Sequence, residues 1–288
     1  MTTFANSLII GVASGMTFGL VALGFVLVYR ATGIVNFTQG SFVAIGGMLA
    51  AELATKEKLP AVEVLIFCMV AVGLVSLVVA IVCVVAQKTG GTLRALLVTV
   101  GLSIAFEGVL LALFGDNPVS FGSPVGNKSL HFGSLLVLPQ QVLIVVIVLA
   151  IVGLTQWFLG RTIWGMGMRA SASNPVAARL SSIPVQRTTF AAFVIAGVLA
   201  GLAGDLITPM TAMAYSSDTT WTINGFSSAI IAGLVDPIGA IAGGLVLGIV
   251  ETMIGAYVSS SYETAVAMVV MLAILVLRPR GLFSWSAR

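Results

Sequence analysis

Residues Gly160–Arg187 read GRTIWGMGMRASASNPVAARLSSIPVQR, and this stretch fixes how the rest of the chain can be arranged. It holds Arg161, Arg169, Arg179 and Arg187 and no acidic residue, between apolar flanks. One arginine at a bilayer centre costs about 2.5–3.5 kcal/mol, so this cluster excludes the segment from lipid. It still has helical order. Asn174 suits an N-cap and Pro175 the first helical position. Val176, Ala177, Leu180 and Ile183 then fall on one helical face, with Arg179 and Ser182 off it, and Pro184 stops the turn. A short cationic helix with an apolar face, held outside the membrane, calls for a protein partner or the membrane surface.

Composition sets the class. Of 288 residues, 59% are apolar and 8% charged, where a soluble domain carries about 25% charged residues. This is the composition of an all-α polytopic membrane protein, residues 1–288 forming one transmembrane domain. Net charge is +3, but the basic residues sit at segment ends, with no patch that fits nucleic acid. Cys68 and Cys83 lie within one apolar segment and read as buried thiols. The first apolar run lacks a basic leader region and exceeds a signal core, so it reads as a retained helix.

In order, the spans are Asn6–Tyr29, 42–53, Val62–Gln87, Ala95–Phe114, Gln141–Leu159, Thr188–Ile207, a short Thr222–Val235, Ile238–Val258 and Ala265–Leu277. That gives eight to nine transmembrane segments. Gly11, Gly15 and Gly19 in the first, and Gly197, Gly201 and Gly204 in the sixth, are small-residue faces for close packing. Between the fourth and fifth spans lies Gly115–Pro139, rich in Gly, Ser, Asn and Pro and carrying the only histidine, His131. Pro209–Trp221 reads as a polar loop. With nine crossings and the arginine segment inside, Arg30, Lys88, Arg94, the four arginines, Arg278, Arg280 and Arg288 lie inside, and Lys56, Lys58 and Lys128 outside. That ten-to-three excess places the N-terminus outside and the C-terminus inside. An eight-crossing chain would put the basic tail outside.

Two polar interruptions stand out. One is Ile34–Ser41, with Asn36, Phe37, Thr38, Gln39 and Ser41; the other is Ile223–Ser228, with Asn224, Phe226 and Ser227. Each enters a Gly/Ala-rich helix, and the two halves of the chain run in opposite senses. An inverted repeat with discontinuous helices is the expected plan, its substrate path near the midplane. These side chains either line that path or cap the helices they precede. Glu107 and Glu251 lie within spans and are assigned structural roles; Asp205 and Asp236 lie near segment ends, as solvated or capping groups. No metal cluster, nucleophile–base arrangement or nucleotide-binding motif is present, so no catalytic residue, metal ligand or cofactor is assigned. An ion-coupled secondary transporter or channel for a small polar solute is the alternative function class. It would share the helical repeat without needing the cationic helix.

Four stretches resemble one family in its expected order: GLVALGFVLVYRATG (19–33), IVNFTQGSFVAIGG (34–47), GMGMRASASNPVAARLSSIPVQR (165–187) with AFVIAGVLAGLAGDLITP (192–209), and GLVDPIGAIAGGLVLGIVE (233–251). The chain resembles permease subunits of branched-chain amino-acid ABC importers, the family that includes urea and short-amide permeases. The resemblance implies a multi-pass permease of the bacterial inner membrane, without its own ATPase site, working with a second permease subunit, two ATP-binding subunits that use ATP and Mg, and an external or periplasmic solute-binding protein. It makes residues 160–187 the cytoplasmic coupling segment, with Asn174, Pro175, Val176, Arg179, Leu180 and Ile183 in the helix that meets the ATPase. The family's break commonly reads Asn-Phe-Ala-His-Gly-Glu. Here it is Asn36-Phe37-Thr38-Gln39-Gly40-Ser41, so an ionisable pair is replaced by neutral groups. The family's late GG-x-GS is replaced by residues 232–236.

Overall fold

The computed structural model describes residues 2–126, 129–132, 135–234, 236–278 and 281–282. Its helices are α1 (Thr2–Thr32), α2 (Gln39–Thr55), α3 (Ala61–Phe114), α4 (Pro139–Arg161), α5 (Ile163–Ser173), α6 (Pro175–Leu180), α7 (Val185–Ile207), α8 (Ser217–Ile231), α9 (Pro237–Tyr257) and α10 (Glu263–Leu277). Six of these, α1, α3, α4, α7, α9 and the stretch Ser260–Leu277 that ends in α10, are long and apolar enough to cross a membrane.

The 54-residue α3 is two of the expected spans joined by a single non-helical residue, Gly91, at φ 76° and ψ −172°. The left-handed φ reverses the chain there, which glycine permits without Cβ strain. The contacts show the reversal. On the first limb Ser76 donates to the Phe193 carbonyl and Gln87 to the Thr32 carbonyl. On the second, Thr99 accepts from the Phe37 amide and Ser103 meets Ser41. Each span of the sequence reading therefore has its helix, with α2 and α8 the short ones.

Glycine faces bring the central helices together. A Cβ on Gly11, Gly15 or Gly19 of α1 would come within 2.8–2.9 Å of α9 backbone. Gly197 and Gly201 of α7 meet α3 at Val72 and Ser76 in the same way. The pairings repeat. α1 packs on α9 as α7 packs on α3, α8 packs on α1 as α2 packs on α7, and α2 and α8 pack on each other. That is the pattern an inverted repeat produces. The core lies around α1 and α7, with Leu20, Phe25, Phe42, Phe193 and Leu202 fully buried. Outer faces of α3, α4 and α10 expose Leu74, Ile104, Trp157, Val269 and others, as lipid-facing surfaces do.

Three expectations need correction. The second polar interruption does not break a helix: Ile223–Ser228 lies inside α8, which begins at Ser217, and the true break is residues 208–216. The break is tucked inward by paired backbone hydrogen bonds between Val119 and Met213, both 2.8 Å, so α8 starts earlier and deeper than hydropathy suggests. Asp205 is buried on α7 rather than solvated. The segment Gly115–Pro139 contains a small antiparallel hairpin, β1 (Leu130–Phe132) and β2 (Leu135–Val137), in an otherwise helical chain. His131 pairs by backbone with Leu136, and its side chain lies outside the described residues. Lys128, Arg280 and Arg288, counted in the charge balance, also lie outside them. Asp236 caps α9, accepting from the Ile238 amide at 3.1 Å.

Candidate functional site

The chain leaves α1 at Gly33 and runs non-helically into the bundle through residues 33–38. Asn36 Oδ1 accepts from the Thr38 hydroxyl at 2.6 Å and from its amide at 3.3 Å. Gln39 Nε2 donates to the Ala196 carbonyl at 3.0 Å. Ala196 is the twelfth of the 23 residues of α7, so α2 starts at mid-depth, not at a membrane surface. Ser103, the middle residue of the limb 92–114, reports the same depth: its hydroxyl lies 3.1 Å from that of Ser41.

The first turn of α8 arrives at this point from the opposite side. Asp218 Oδ2 accepts from Ser103 Oγ at 2.9 Å and lies 3.2 Å from Ser41 Oγ. Thr222 Oγ1 is 3.4 Å from the Phe37 carbonyl oxygen. Phe226 stacks obliquely on Phe37 and on Phe25, each at 5.7 Å between ring centres. The two discontinuous helices therefore meet by their N-terminal turns, where each carries the positive end of its dipole. Gly40 allows the approach, since a Cβ there would collide with the Asp218 carbonyl and Thr222.

Of the predicted path residues, Asn36, Phe37, Thr38, Gln39, Ser41 and Phe226 come together here. Asn224 points elsewhere, donating to Glu251 Oε2 of α9 at 3.2 Å. Glu251 is thus tied to a neighbouring helix through one oxygen only. Ser227 is fully buried on α8. The N-cap residue of α2, Thr38, makes no side-chain cap hydrogen bond, and Asn36 serves the Thr38 amide just ahead of the helix. Several buried polar atoms keep no partner: Asn36 Nδ2, Gln39 Oε1, Asn224 Oδ1, Ser227 Oγ and Glu251 Oε1. An unmatched polar atom in a dry interior costs about 1–3 kcal/mol, so each of these groups has capacity for a water or another polar partner.

Sequence reasoning missed Asp218, Ser103, Thr99 and Thr222. Ser103 and Thr99 looked like ordinary small residues in an apolar span. Asp218 and Thr222 stand one helical turn apart (i, i+4), a signal hidden because the polarity of 209–221 reads as loop.

At one end of the bundle the arginine segment forms two helices, of which only α6 was expected. Asn174 Oδ1 accepts from the amides of Val176 and Ala177 at 3.1 and 3.0 Å, so the N-cap is present. α6 ends at Leu180. Ser182 is left-handed at φ 61°, and the amides of Ser182 and Ile183 donate back to Arg179 and Ala178. This closing turn separates Ile183 from the face of Val176 and Leu180. Those two are 64% and 84% exposed, while Ile183 is half-buried. The continuous apolar face through Ile183 is thus corrected to a Val176–Leu180 pair. Beside α6 lies a basin of about 1540 Å³, lined by Arg30, Lys88, Arg169, Arg179 and Arg187 and by no acidic residue. These cations share one end of the fold, as the charge count required.

A polytopic helical bundle with repeated helix pairings, with two half-helices meeting by their N-termini at mid-depth and an exposed cationic helix at one end, fits a membrane permease. The chain belongs to the family described as branched-chain amino acid transport system / permease component, whose profile matches residues 7–277. It is 27% identical to the probable branched-chain amino acid transport permease protein LivH of Methanocaldococcus jannaschii, over 91% of this chain and 87% of that one. It is 26% identical to the high-affinity branched-chain amino acid transport system permease protein LivH of Escherichia coli K12, over 97% and 95%. The ribose import permease protein RbsC of Escherichia coli K12 is 27% identical over 89% and 81%. No solved structure matches the chain.

Proposed function

We propose that this chain is a permease subunit of an ATP-driven ABC importer for branched-chain or other amino acids or related small amides, resident in the bacterial inner membrane. It forms the translocation path with a second permease subunit, while two partner subunits hold ATP and Mg and an external binding protein delivers the solute. The arginine end faces the cytoplasm, following the Lys/Arg excess. There Asn174, Pro175, Val176, Arg179 and Leu180 form the helix that engages an ATPase subunit, with Ile183 behind it.

The observation that carries the path assignment is the mid-depth meeting of α2 and α8. Asn36, Thr38, Gln39 and Ser41 are all fully buried there, with Asn36 and Gln39 incompletely paired. Irregular backbone at membrane depth is tolerated only against protein or an aqueous cavity. Half-helix termini at the midplane are where permeases of inverted-repeat design hold their solutes.

The test is Gln39→Leu in the assembled transporter. Solute uptake should fall at least tenfold while the protein still inserts and retains its ATPase subunits. Unchanged uptake would remove Gln39 and its neighbours from the path. Uptake that follows an ion gradient and persists without ATP would instead identify a secondary transporter.

A further inference from the structure

We propose that Asp218 is the midplane anchor for the ammonium group of the transported solute, and that the uncapped first turn of α2 faces the solute's carboxylate. The proposal rests on the path assignment above and narrows it to solutes bearing an amino group.

Asp218 is a carboxylate 2% exposed at mid-depth in a membrane protein. Its Oδ2 is met by two neutral hydroxyls, Ser103 at 2.9 Å and Ser41 at 3.2 Å, and its Oδ1 by the hydroxyl of Thr219 at 3.3 Å. No cation bonds to it: among the described residues the only ion pair is Lys56 with Glu52, at the end of α2. Acidic groups at such depth are paired with a counter-charge or belong to a solute pathway. Among the described residues the charge of Asp218 is met only by hydroxyls and by the partial positive ends of the α2 and α8 first turns, so a solute ammonium would bring the first full counter-charge. An ammonium with three donors can replace a serine hydroxyl on Oδ2 and satisfy the carboxylate with charge as well as a hydrogen bond.

The other end of a zwitterion is provided for independently. The first turn of α2 is not capped by any side chain, so its amides and the helix dipole present a positive end within one residue of Ser41. Asn36, fully buried beside that turn, has its Oδ1 tied to Thr38 and its Nδ2 without a partner. The Gln39 amide donates to the Asn36 carbonyl, which leaves the Asn36 side-chain donor and the amides of Gly40 and Ser41 to suit a carboxylate. The carboxylate of Asp218 and these donors meet where α2 crosses α8, so a solute between them is gripped by both halves of the repeat. In the structure the two turns are closed on each other; the ammonium enters by displacing the Ser41 and Ser103 hydroxyls as they part.

The experiment is uptake by the complete transporter, with all its subunits, in cells offered a radiolabelled amino-acid mixture or radiolabelled ribose. The wild type should carry amino acids. Asp218→Asn keeps the shape and the acceptor oxygen but loses the charge. It should lower the maximal amino-acid uptake rate at least tenfold, at wild-type amounts of assembled transporter and unchanged half-saturation. Ser103→Ala, which removes one displaceable hydroxyl, should stay within threefold. A purely structural carboxylate predicts the reverse, with Asn tolerated and the loss of Ser103 felt. Asp218→Asn uptake within twofold of wild type overturns the proposal. If Asp218→Asn fails to accumulate, Asp218→Glu decides. A charge moved by one methylene should lower the maximal rate two- to tenfold, and wild-type kinetics would count against the anchor. A wild type that carries ribose and no amino acid also overturns it, while leaving the path assignment standing. The path assignment fails separately, through unchanged uptake in Gln39→Leu.

Discussion

Replacing Leu180 with aspartate tests the coupling helix most directly. Leu180 is 84% exposed, so nearly all of its apolar surface is still available to be covered by a partner. Fully burying a leucine is worth about 1.5–3 kcal/mol, and the uncovered share of that is about 1.3–2.5 kcal/mol. Losing it weakens docking roughly 10- to 70-fold. The buried carboxylate adds a desolvation penalty, so these figures are lower bounds. The isolated permease should notice little: the site is exposed, and an acid in the last turn of α6 opposes the helix dipole by only about 0.3–1 kcal/mol. The assay is recovery of ATPase subunits with tagged permease from solubilised membranes, titrated to give a dissociation constant. Arg179→Ala is the control. Arg179 is exposed without an ion pair, and exposed charges contribute about 0–1 kcal/mol, so the loss should stay below roughly fivefold. A Leu180→Asp permease that recovers its ATPases at the wild-type ratio would refute α6 as the docking element.

Two further outcomes follow from sidedness and packing. With Cys68 and Cys83 buried, a cysteine placed at Lys56 should react with an impermeant thiol reagent from outside, and one placed at Arg169 only after the membrane is opened; external labelling at 169 would invert the topology. Gly15→Leu should disrupt the α1–α9 contact, where even a Cβ would lie 2.8 Å from α9 backbone. Misplaced bulk in a packed interior costs about 1–3 kcal/mol or more, which a thermal melt of the purified protein should register as a lowered midpoint.

Much of this molecule was legible because lipid simplifies the code. A cluster of arginines cannot be buried, twenty apolar residues must be helical, and glycines every fourth residue mark close crossings; Gly160–Arg187, α7 and α1 obey these rules directly. The polar break at 33–38 was legible for the same reason. What stayed hidden depended on contacts across the fold. The deep start of α8 is set by the Val119–Met213 pairing, from a loop nearly a hundred residues earlier in the chain. Hydropathy cannot register this, because 217–221 is polar whether it lies in water or at the bilayer midplane. The turn at Ser182 was missed because a serine stands in a left-handed position where glycine is the usual marker. Asp218 and Ser103 gain their meaning only from each other, 115 residues apart.

The α1–α9 contact has a consequence for how the protein is made. The glycines of α1 leave the ribosome well before the backbone they pack against, around Gly244 and Gly248. At about 5–20 residues per second, some 230 residues take roughly 10–45 s. For that interval the glycine face of α1 lies in the membrane without its partner. Its long apolar run lets it wait there as an independent span. This central contact is completed only when α9 arrives beside α1.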